Sequence, residues 1–325
     1  MPARSDAATR EIGFDDLEPY RRELTGYCYR MLGSGFEADD AVQETLVRAW
    51  RAIDGFEGRS TVRSWLYRIA TNVCLDMLRG RQRRARPMEI GPASTTDAFD
   101  GARLPEHSWV GPIADDRVLD LDDDPAEVMA QRETIRLAFV AALQHLPARQ
   151  RAVLILREVL RWQASEVAEL LDTSVASVNS ALQRARATLA NHDAETSPSD
   201  LVDVQQRELL ARYVDAFERY DVERLVTLLH EDAVQSMPPY VLWLQGADEI
   251  GRWLLGPGSG CAGSKLVPIV ANGCAAFGQY RSDGKGGHTP WSIVLVETTG
   301  ERITALHNFV DDPSLFAAFG LPPTL

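Results

Sequence analysis

Apolar positions recur at helical spacing through the first part of the chain and predict a series of amphipathic helices. The first predicted helix follows Phe14 and ends at Gly33 and Gly35. Its apolar positions are Leu17, Tyr20, Leu24, Tyr27 and Met31. The segment EADDAVQETLVRAWRAID at 37–54 predicts a second helix, whose outer face carries both signs of charge, as solvated helix faces commonly do. Its predicted inward positions are Ala38, Val42, Leu46, Ala49 and Trp50.

A third predicted helix is basic on its outer side. It follows the loop GFEGRST at 55–61, which contains two glycines, and it lies in VRSWLYRIATNVCLDMLRGRQRR at 62–84. Between residues 59 and 86 there are eight arginines and one acid, Asp76. Arginine and aromatic side chains beside a glycine-containing loop suit unpaired bases, which offer stacking surfaces and phosphates. Trp65 taken alone is more typical of a hydrophobic core, together with Leu66, Ile69, Val73 and Met77.

Residues 87–127 differ in composition from the basic segment that precedes them. They hold eleven acids against Arg103 and Arg117, together with five prolines and three glycines. This composition predicts a flexible acidic linker. An acidic tether is usually solvated chain. Beside a basic surface, it could also occupy the surface that binds nucleic acid until the nucleic acid displaces it.

A second helical block follows the predicted linker. Helical spacing runs through ETIRLAFVAALQHL up to Pro147 and then through ARQRAVLILREVL. The stretch from Trp162 to Leu189 then reads as a helix, a turn and a second helix, the pattern of a helix-turn-helix. We expect Ser174 to cap the second helix, and Asp172 to adopt the left-handed backbone that glycine usually supplies in this turn.

The predicted outer face of that second helix favours DNA binding. Small and amide side chains near a helix start can approach base edges, and later arginines suit phosphates. The alternative is a helical hairpin with a polar outer face. We favour DNA binding because the turn residues and the inward-facing residues of the second helix fit a helix-turn-helix, as its outer surface does. The outer residues are Ser174, Ala176, Ser177, Asn179, Ser180, Gln183, Arg184 and Arg186.

The last region, residues 200–325, is separated from the helical block by the polar hinge HDAETSPSD at 192–200. It holds sixteen acids and nine basic residues and is an unlikely DNA binder. Helical spacing precedes several short apolar strands, which predicts helices packed on a meandering sheet. Aromatic side chains with a few polar groups favour a small-ligand pocket, although core packing explains them equally well. The candidate pocket residues are Tyr240, Trp243, Trp253, Trp291, His307 and Phe309.

No catalytic or metal-binding pattern stands out in this last region. His307 lies on an apolar strand and is more typical of a hydrogen-bonded structural histidine than of a catalytic base. Asp221 and Asp232 are more readily helix caps than acids. Because no nucleophile elbow, phosphate loop or zinc spacing occurs, we expect no cofactor and no enzymatic activity.

Composition sets outer limits on these predictions. The chain has 325 residues, 45% of them apolar, and carries a formal net charge of -13, which argues against strong nonspecific binding of the whole chain to nucleic acid. Cys28, Cys74, Cys261 and Cys274 form no CxxC pair, so reduced and mostly buried thiols are expected. No apolar run approaches the roughly 20 residues of a membrane-spanning helix, and the first residues lack the apolar core of a signal peptide. We therefore expect a cytoplasmic protein.

The first helical block resembles the core domain of group IV, extracytoplasmic-function sigma-70 factors. The resemblance is carried by DDAVQETLVRAWRAIDGF and RSWLYRIATNVCLDMLR. It implies that the DDAVQET helix docks on a coiled coil of the RNA polymerase beta-prime subunit, and that the next loop and helix recognise and melt the minus-ten promoter element. The implied polymerase-binding residues are Asp39, Asp40, Gln43, Glu44, Arg48 and Trp50. The implied minus-ten residues are Phe56, Glu57, Arg59, Ser60, Arg63, Trp65, Asn72, Asp76 and Arg79.

The later parts of the chain carry two further resemblances. The helix-turn-helix block is similar to sigma region 4, which reads the minus-thirty-five element. SMPPYVLWLQGADEIGRWLLG and DPSLFAAFGLPP resemble the SnoaL-like domain of some sigma factors. The implied fold class is multidomain, with two all-α sigma domains followed by an α+β cone-shaped domain. The implied ranges are 14–86 for region 2, 87–127 for the linker, 128–191 for region 4 and 200–325 for the SnoaL-like domain.

These features together predict a promoter-specificity subunit that binds the beta-prime and beta subunits of core RNA polymerase and promoter DNA. Its last domain would modulate that activity and could bind a small molecule. One alternative is a ligand-sensing helix-turn-helix repressor, which would leave the basic segment at 59–86 without a role. A second is a SnoaL-type cyclase or isomerase fused to transcription modules.

Overall fold

The structure is a computed structural model that describes residues 13–190 and 204–325. The predicted hinge at 192–200 and the predicted domain boundaries at 191 and 200 lie outside the described residues. Two helical domains come first, and a domain of helices on a mixed sheet follows.

The first domain is built from three helices, α1 (Arg21–Leu32), α2 (Gly35–Ala52) and α3 (Val62–Met77). Gly33 ends α1 with a positive φ of 73°, a conformation that glycine adopts without strain. The Ser34 side chain then accepts the Glu37 N–H and caps α2, while Thr61 caps α3 in the same way. Tyr27 and Tyr67 join α1 to α3, with ring centroids 5.1 Å apart.

The segment predicted to be a flexible linker is packed on the folded domains instead, in part on the first domain. Trp109, Val110, Ile113 and Leu119 are buried. The Arg84 Nη1 group donates to the Trp109 carbonyl oxygen over 2.6 Å. The prediction of a solvated tether rested on the count of acids, prolines and glycines, which overlooks the apolar residues placed between them. Those residues bury enough surface to hold the segment on the helices.

The second domain contains five helices. They are α4 (Pro125–Glu133), α5 (Leu137–Gln144), α6 (Ala148–Leu154), α7 (Ala164–Leu170) and α8 (Val175–Ala190). The helix predicted to start at residue 133 is interrupted, because the Arg136 backbone is extended before α5 begins. A π-helical turn, Ile155–Val159, follows α6 and leads towards α7.

The third domain wraps a six-stranded sheet around helices α9 (Val204–Glu218), α10 (Val222–Leu228) and α11 (Ala247–Leu255). A short helix, α12 (Pro313–Ala318), follows the last strand. The strands are β1 (Leu229–Ser236), β2 (Trp243–Gln245), β3 (Lys265–Ala271), β4 (Cys274–Ser282), β5 (His288–Thr299) and β6 (Arg302–Val310). The order is β2-β1-β6-β5-β4-β3, and only the β1–β6 pair is parallel within the described sheet.

The two predicted helix caps in this domain have different outcomes. Asp221 caps α10, since its carboxylate accepts the Arg224 N–H over 3.0 Å, as predicted. Asp232 lies inside β1, so the prediction of a cap there is wrong. Helical spacing continues past Leu228 in the sequence, but Leu229 and its successors pair with β6 instead. Pairing with a distant strand overrides the local helical preference.

The sheet separates two hydrophobic clusters. Phe277 and Val294 lie on the side that faces α9 to α11. Ala276 and Ile293 lie on the other side, in one cluster with Leu24 of α1 and other core residues of both helical domains. The third domain is therefore packed directly on the two helical domains through one face of its sheet.

Candidate polymerase and promoter surfaces and an enclosed pocket

The α2 face that the resemblance assigns to polymerase is partly open and partly engaged. Asp40, Gln43 and Trp50 are exposed along one side of the helix. Trp50 is 58% exposed, so the prediction that it points inward is wrong. Helical geometry explains the difference, because Ala49 already fills the inward position of the last turn.

The remaining polymerase-assigned residues form ion pairs within the chain. Asp39 accepts a hydrogen bond from Arg117 of the packed segment. Glu44 accepts from Arg48 Nε over 2.6 Å, and Arg48 also lies 3.6 Å from Asp76. The 87–127 segment thus covers one end of this face through Arg117.

The loop before α3 presents an aromatic pair to its surroundings. Phe56 packs on Trp65 with ring centroids 4.9 Å apart, and both are half-buried. Glu57 and Arg59 form an exposed pair joined over 2.7 Å. The other residues assigned to the minus-ten surface are exposed or half-buried: Ser60, Arg63, Asn72, Asp76 and Arg79.

Arg63 lies in the junction between the two helical domains. Its guanidinium carbon is 5.4 Å from the ring centroid of Trp162, and its Nη2 is 2.9 Å from Glu23 Oε2. Nearby, Arg68 Nη2 donates to the Glu169 carbonyl oxygen over 3.1 Å. Part of the basic side of α3 therefore contacts the second helical domain, while the side chains of Arg63 and Arg68 stay 42% and 45% exposed.

The helix-turn-helix has the local structure that the sequence predicts. Asp172 has a φ of 50°, which confirms the left-handed turn residue. Ser174 Oγ accepts the Ser177 N–H over 3.1 Å and caps α8, as expected. Val178 and Leu182 are buried as anchors. All eight residues assigned to the minus-thirty-five surface are exposed.

One asparagine of the third domain joins all the packed parts of the chain. Asn272 lies in the turn between β3 and β4 with a φ of 53° and is fully buried. Its Nδ2 donates to the Tyr29 hydroxyl over 2.6 Å and to the Ile135 carbonyl over 2.7 Å, while its Oδ1 accepts the Ile113 N–H over 2.9 Å. These partners belong to α1, to the start of the second helical domain and to the 87–127 segment. Sequence reasoning missed Asn272, although its Asn-Gly pair is a strong signal for a tight hairpin turn.

The third domain has a partly open cavity of about 190 Å³ between its sheet and its helices. Tyr240, Trp253 and Trp291 line it, as predicted. The other three predicted pocket residues, Trp243, His307 and Phe309, do not, so that part of the prediction is wrong.

The misplaced residues of β6 follow from strand alternation. Leu306, Asn308 and Val310 face the cavity, so His307 and Phe309 face the opposite side of the sheet. His307 Nδ1 is 2.8 Å from Ser236 Oγ, and its Nε2 is 3.6 Å from Glu297, which confirms a structural histidine. Trp243 on β2 donates its Nε1 to the Gly91 carbonyl over 2.9 Å.

Residues 91–104, which we call the strap, pack against the third domain beside the cavity. The Ser94 N–H donates to the Trp243 carbonyl over 2.8 Å, and the Leu104 N–H donates to the Pro239 carbonyl over 3.0 Å. Phe99 of the strap packs edge-on against Trp253, with ring centroids 4.9 Å apart, and lines the cavity. The segment between the sigma-like domains thus forms one wall of the pocket.

Glu249 anchors the strap to α11, and its carboxylate should make the stability of the folded chain depend on pH. Its pKa is lowered from 4.5 to about 2, because the carboxylate accepts hydrogen bonds from Arg252 and from the Thr96 N–H, the latter over 2.6 Å. A lowered pKa in the folded chain adds stability above pH 4.5, and that stability is lost as the pH falls from about 4.5 to about 2. We expect Glu249→Gln to be less stable than the wild type at pH 7, with the difference shrinking through this window. Urea unfolding at several pH values would measure it, and a difference that is independent of pH would contradict the anchor.

The described residues contain no group of three or more histidine, cysteine or acidic side chains that could hold a metal ion. Three of the four thiols, Cys28, Cys74 and Cys274, are buried, and Cys261 is half-buried at the pocket. Within the part of the chain that the structure describes, no helix has the length and apolar character required to cross a bilayer.

Comparison with known proteins identifies the three regions. Family models match as Sigma-70 region 2 at residues 17–84, as Sigma-70, region 4 at 136–189, and as a SnoaL-like domain at 210–311. The chain is 44% identical over 314 residues to the ECF RNA polymerase sigma factor SigG of Mycobacterium tuberculosis H37Rv, which covers 95% of this chain and 83% of that protein. It is 28% identical over 272 residues to SigJ of the same organism, covering 81% of this chain and 80% of SigJ.

A solved structure agrees with these matches over nearly the whole chain. The crystal structure of Mycobacterium tuberculosis SigJ has a TM-score of 0.59 to this structure at 25% identity, and the match covers 95% of this chain and 100% of that one. The fold and the matched regions define a sigma-70-type transcription protein with an added α+β domain. The chain belongs to the ECF sigma factors, which direct transcription by RNA polymerase. These relatives favour neither the repressor nor the fused enzyme.

Proposed function

We propose that this chain is a cytoplasmic sigma factor whose SnoaL-like domain is regulatory rather than catalytic and holds the two sigma domains in a closed arrangement. The observation that carries the proposal is the burial of Asn272 between α1, the 87–127 segment and the second helical domain. A single turn of the third domain thereby contacts every part that must move apart for the sigma domains to reach separate promoter elements.

The closed arrangement engages residues that the family resemblance assigns to function. Arg63 of the minus-ten surface packs on Trp162, and Asp39 of the polymerase face is paired with Arg117. We propose that core RNA polymerase binds the α2 face and displaces Arg117. The beta-prime and beta subunits would then hold the two DNA-binding domains at the promoter spacing, which supplies affinity that neither domain has alone.

The junction is also poised to open, because it buries two arginines with no carboxylate partner among the described residues. Arg30 on α1 donates to Thr134 Oγ1 over 2.7 Å, and Arg151 on α6 donates to Gln144 Oε1 over 2.6 Å and to the Met31 carbonyl. Burial lowers the pKa of each guanidinium to about 10. A buried cation without an anion is costly, so separation of the domains returns solvation energy to both groups.

In vitro transcription with purified core polymerase over a promoter library tests the proposal. We expect the full chain to support promoter-selective initiation, and a chain ending at residue 190 to bind core polymerase more tightly. Circular dichroism of the shortened chain would establish that its helices are formed. Unchanged core binding and unchanged promoter selectivity in a folded shortened chain would contradict the regulatory role. Initiation by neither form would contradict the sigma assignment.

A further inference from the structure

The pocket of the third domain has a composition that points to one kind of ligand. Its walls are largely apolar and aromatic, with Phe99, Trp253 and Trp291 among them. Its lining includes one cationic side chain, Arg281, and no acidic one. An apolar cavity with a single fixed cation favours an organic anion over a neutral or cationic molecule.

Arg281 is held ready for an anion. Its guanidinium carbon stacks 3.3 Å from the ring centroid of Trp291, and Gly260 lies close by, since a Cβ added there would be 3.7 Å from that carbon. Its Nη2 lies 3.2 Å from Cys261 Sγ. Its Nε is buried without a hydrogen-bond partner, and no acidic side chain is among the residues that line the pocket with it. A planar guanidinium fixed in this way suits a carboxylate.

A second polar group in the cavity also lacks a partner. Gln235 on β1 is only 5% exposed and lines the cavity, and its side-chain amide makes no hydrogen bond to another described residue. Because Gln235 lines the cavity, its amide is available to a ligand. A ligand with polar oxygens would satisfy the amide.

The size of the cavity suits a ligand of one ring. A cavity of about 150 Å³ holds benzene in a well-studied case, and this one measures about 190 Å³. We propose that the pocket binds a monocyclic aromatic carboxylate, with its carboxylate on Arg281 and its ring against the aromatic wall that includes Phe99.

Ligand binding at this site should also affect regulation. Because the cavity exists with Phe99 in position, a bound ring adds contacts to the strap and stabilises the closed arrangement. That consequence rests on the proposed function, whereas the binding site itself rests only on the pocket.

Isothermal titration of the full chain with benzoate, salicylate and cinnamate tests the site. We expect at least one of them to bind tenfold or more tightly than its neutral amide, such as benzamide for benzoate. Arg281→Gln should weaken carboxylate binding at least thirtyfold, and Phe99→Ala about tenfold. Arg212→Gln, which changes an exposed arginine of the same domain outside the pocket, should have no effect.

Several outcomes would overturn the inference. These are no binding of any probe to the folded wild type, equal affinity for acid and amide, or full carboxylate affinity in Arg281→Gln. Thermal denaturation would show whether Arg281→Gln is folded. If it is not, the affinities of the wild type for a carboxylate and for its neutral amide still test the proposed site. Transcription assays with the bound carboxylate distinguish the binding site from its regulatory consequence. Binding that leaves initiation unchanged contradicts only the regulatory consequence.

Discussion

Replacement of Asn272 by glycine should open the closed arrangement and raise the affinity of the chain for core RNA polymerase about tenfold or more. Glycine keeps the positive φ of this turn, so the backbone of the β3–β4 hairpin is not strained. The substitution removes three side-chain hydrogen bonds and leaves the Ile113 N–H and the Ile135 carbonyl without their partner. Each unsatisfied buried group costs about 1–3 kcal/mol, and about 1.4 kcal/mol is a tenfold change in an equilibrium.

Competition binding to core polymerase would measure the affinity of Asn272→Gly, and small-angle scattering would report the separation of the domains. Lys285→Gly is the matched control, because Lys285 lies in an exposed turn between β4 and β5. It introduces the same backbone freedom into a hairpin turn without removing the junction bonds. An Asn272→Gly chain with the dimensions and the polymerase affinity of the wild type would refute the closed-state proposal.

Trp50→Ala should act in the opposite direction and weaken core polymerase binding roughly thirty- to hundredfold. Trp50 is 58% exposed near the end of α2, on the face that the family resemblance assigns to polymerase. Exposed tryptophans at the centre of an interface often contribute about 2 kcal/mol or more to binding. The free energy of unfolding should change by only about 0.5 kcal/mol, as is usual for surface positions.

Arg51→Ala provides the comparison for Trp50→Ala, because Arg51 is the next residue along α2, is exposed and is not assigned to polymerase. Titration of labelled core polymerase would give both affinities, and thermal unfolding would establish that both variants are folded. Polymerase affinities within twofold of each other for the two variants would show that Trp50 is not an anchor of the interface.

Local patterns in the sequence predicted the local structure well. The helix-turn-helix is an example, because the torsion of Asp172 and the cap at Ser174 depend on residues within a few positions of each other. The Asp221 cap was predictable for the same reason. Departures from these patterns were harder to predict. One example is the end of α10 at Leu228, where the following residues form β1 because β6 lies beside them.

Side-chain direction on the strands was only half predictable. The aromatic residues of the third domain indicated a pocket, but the strand alternation that sends Asn308 into it and His307 away from it requires knowledge of which face of β6 is enclosed. That information comes from the helices packed on one side of the sheet and from the helical domains packed on the other.

The amino-acid sequence by itself determined that this chain carries two helical sigma-type domains and an acidic α+β domain, because periodicity, caps and turn residues act over short distances. The tertiary structure decided how these parts meet. It packed the 87–127 segment on the helices and on the third domain, placed Arg63 against Trp162 and buried Asn272 at the junction of all three parts. Each of these contacts joins residues far apart in the chain, and their energies depend on surfaces that exist only after each domain has folded.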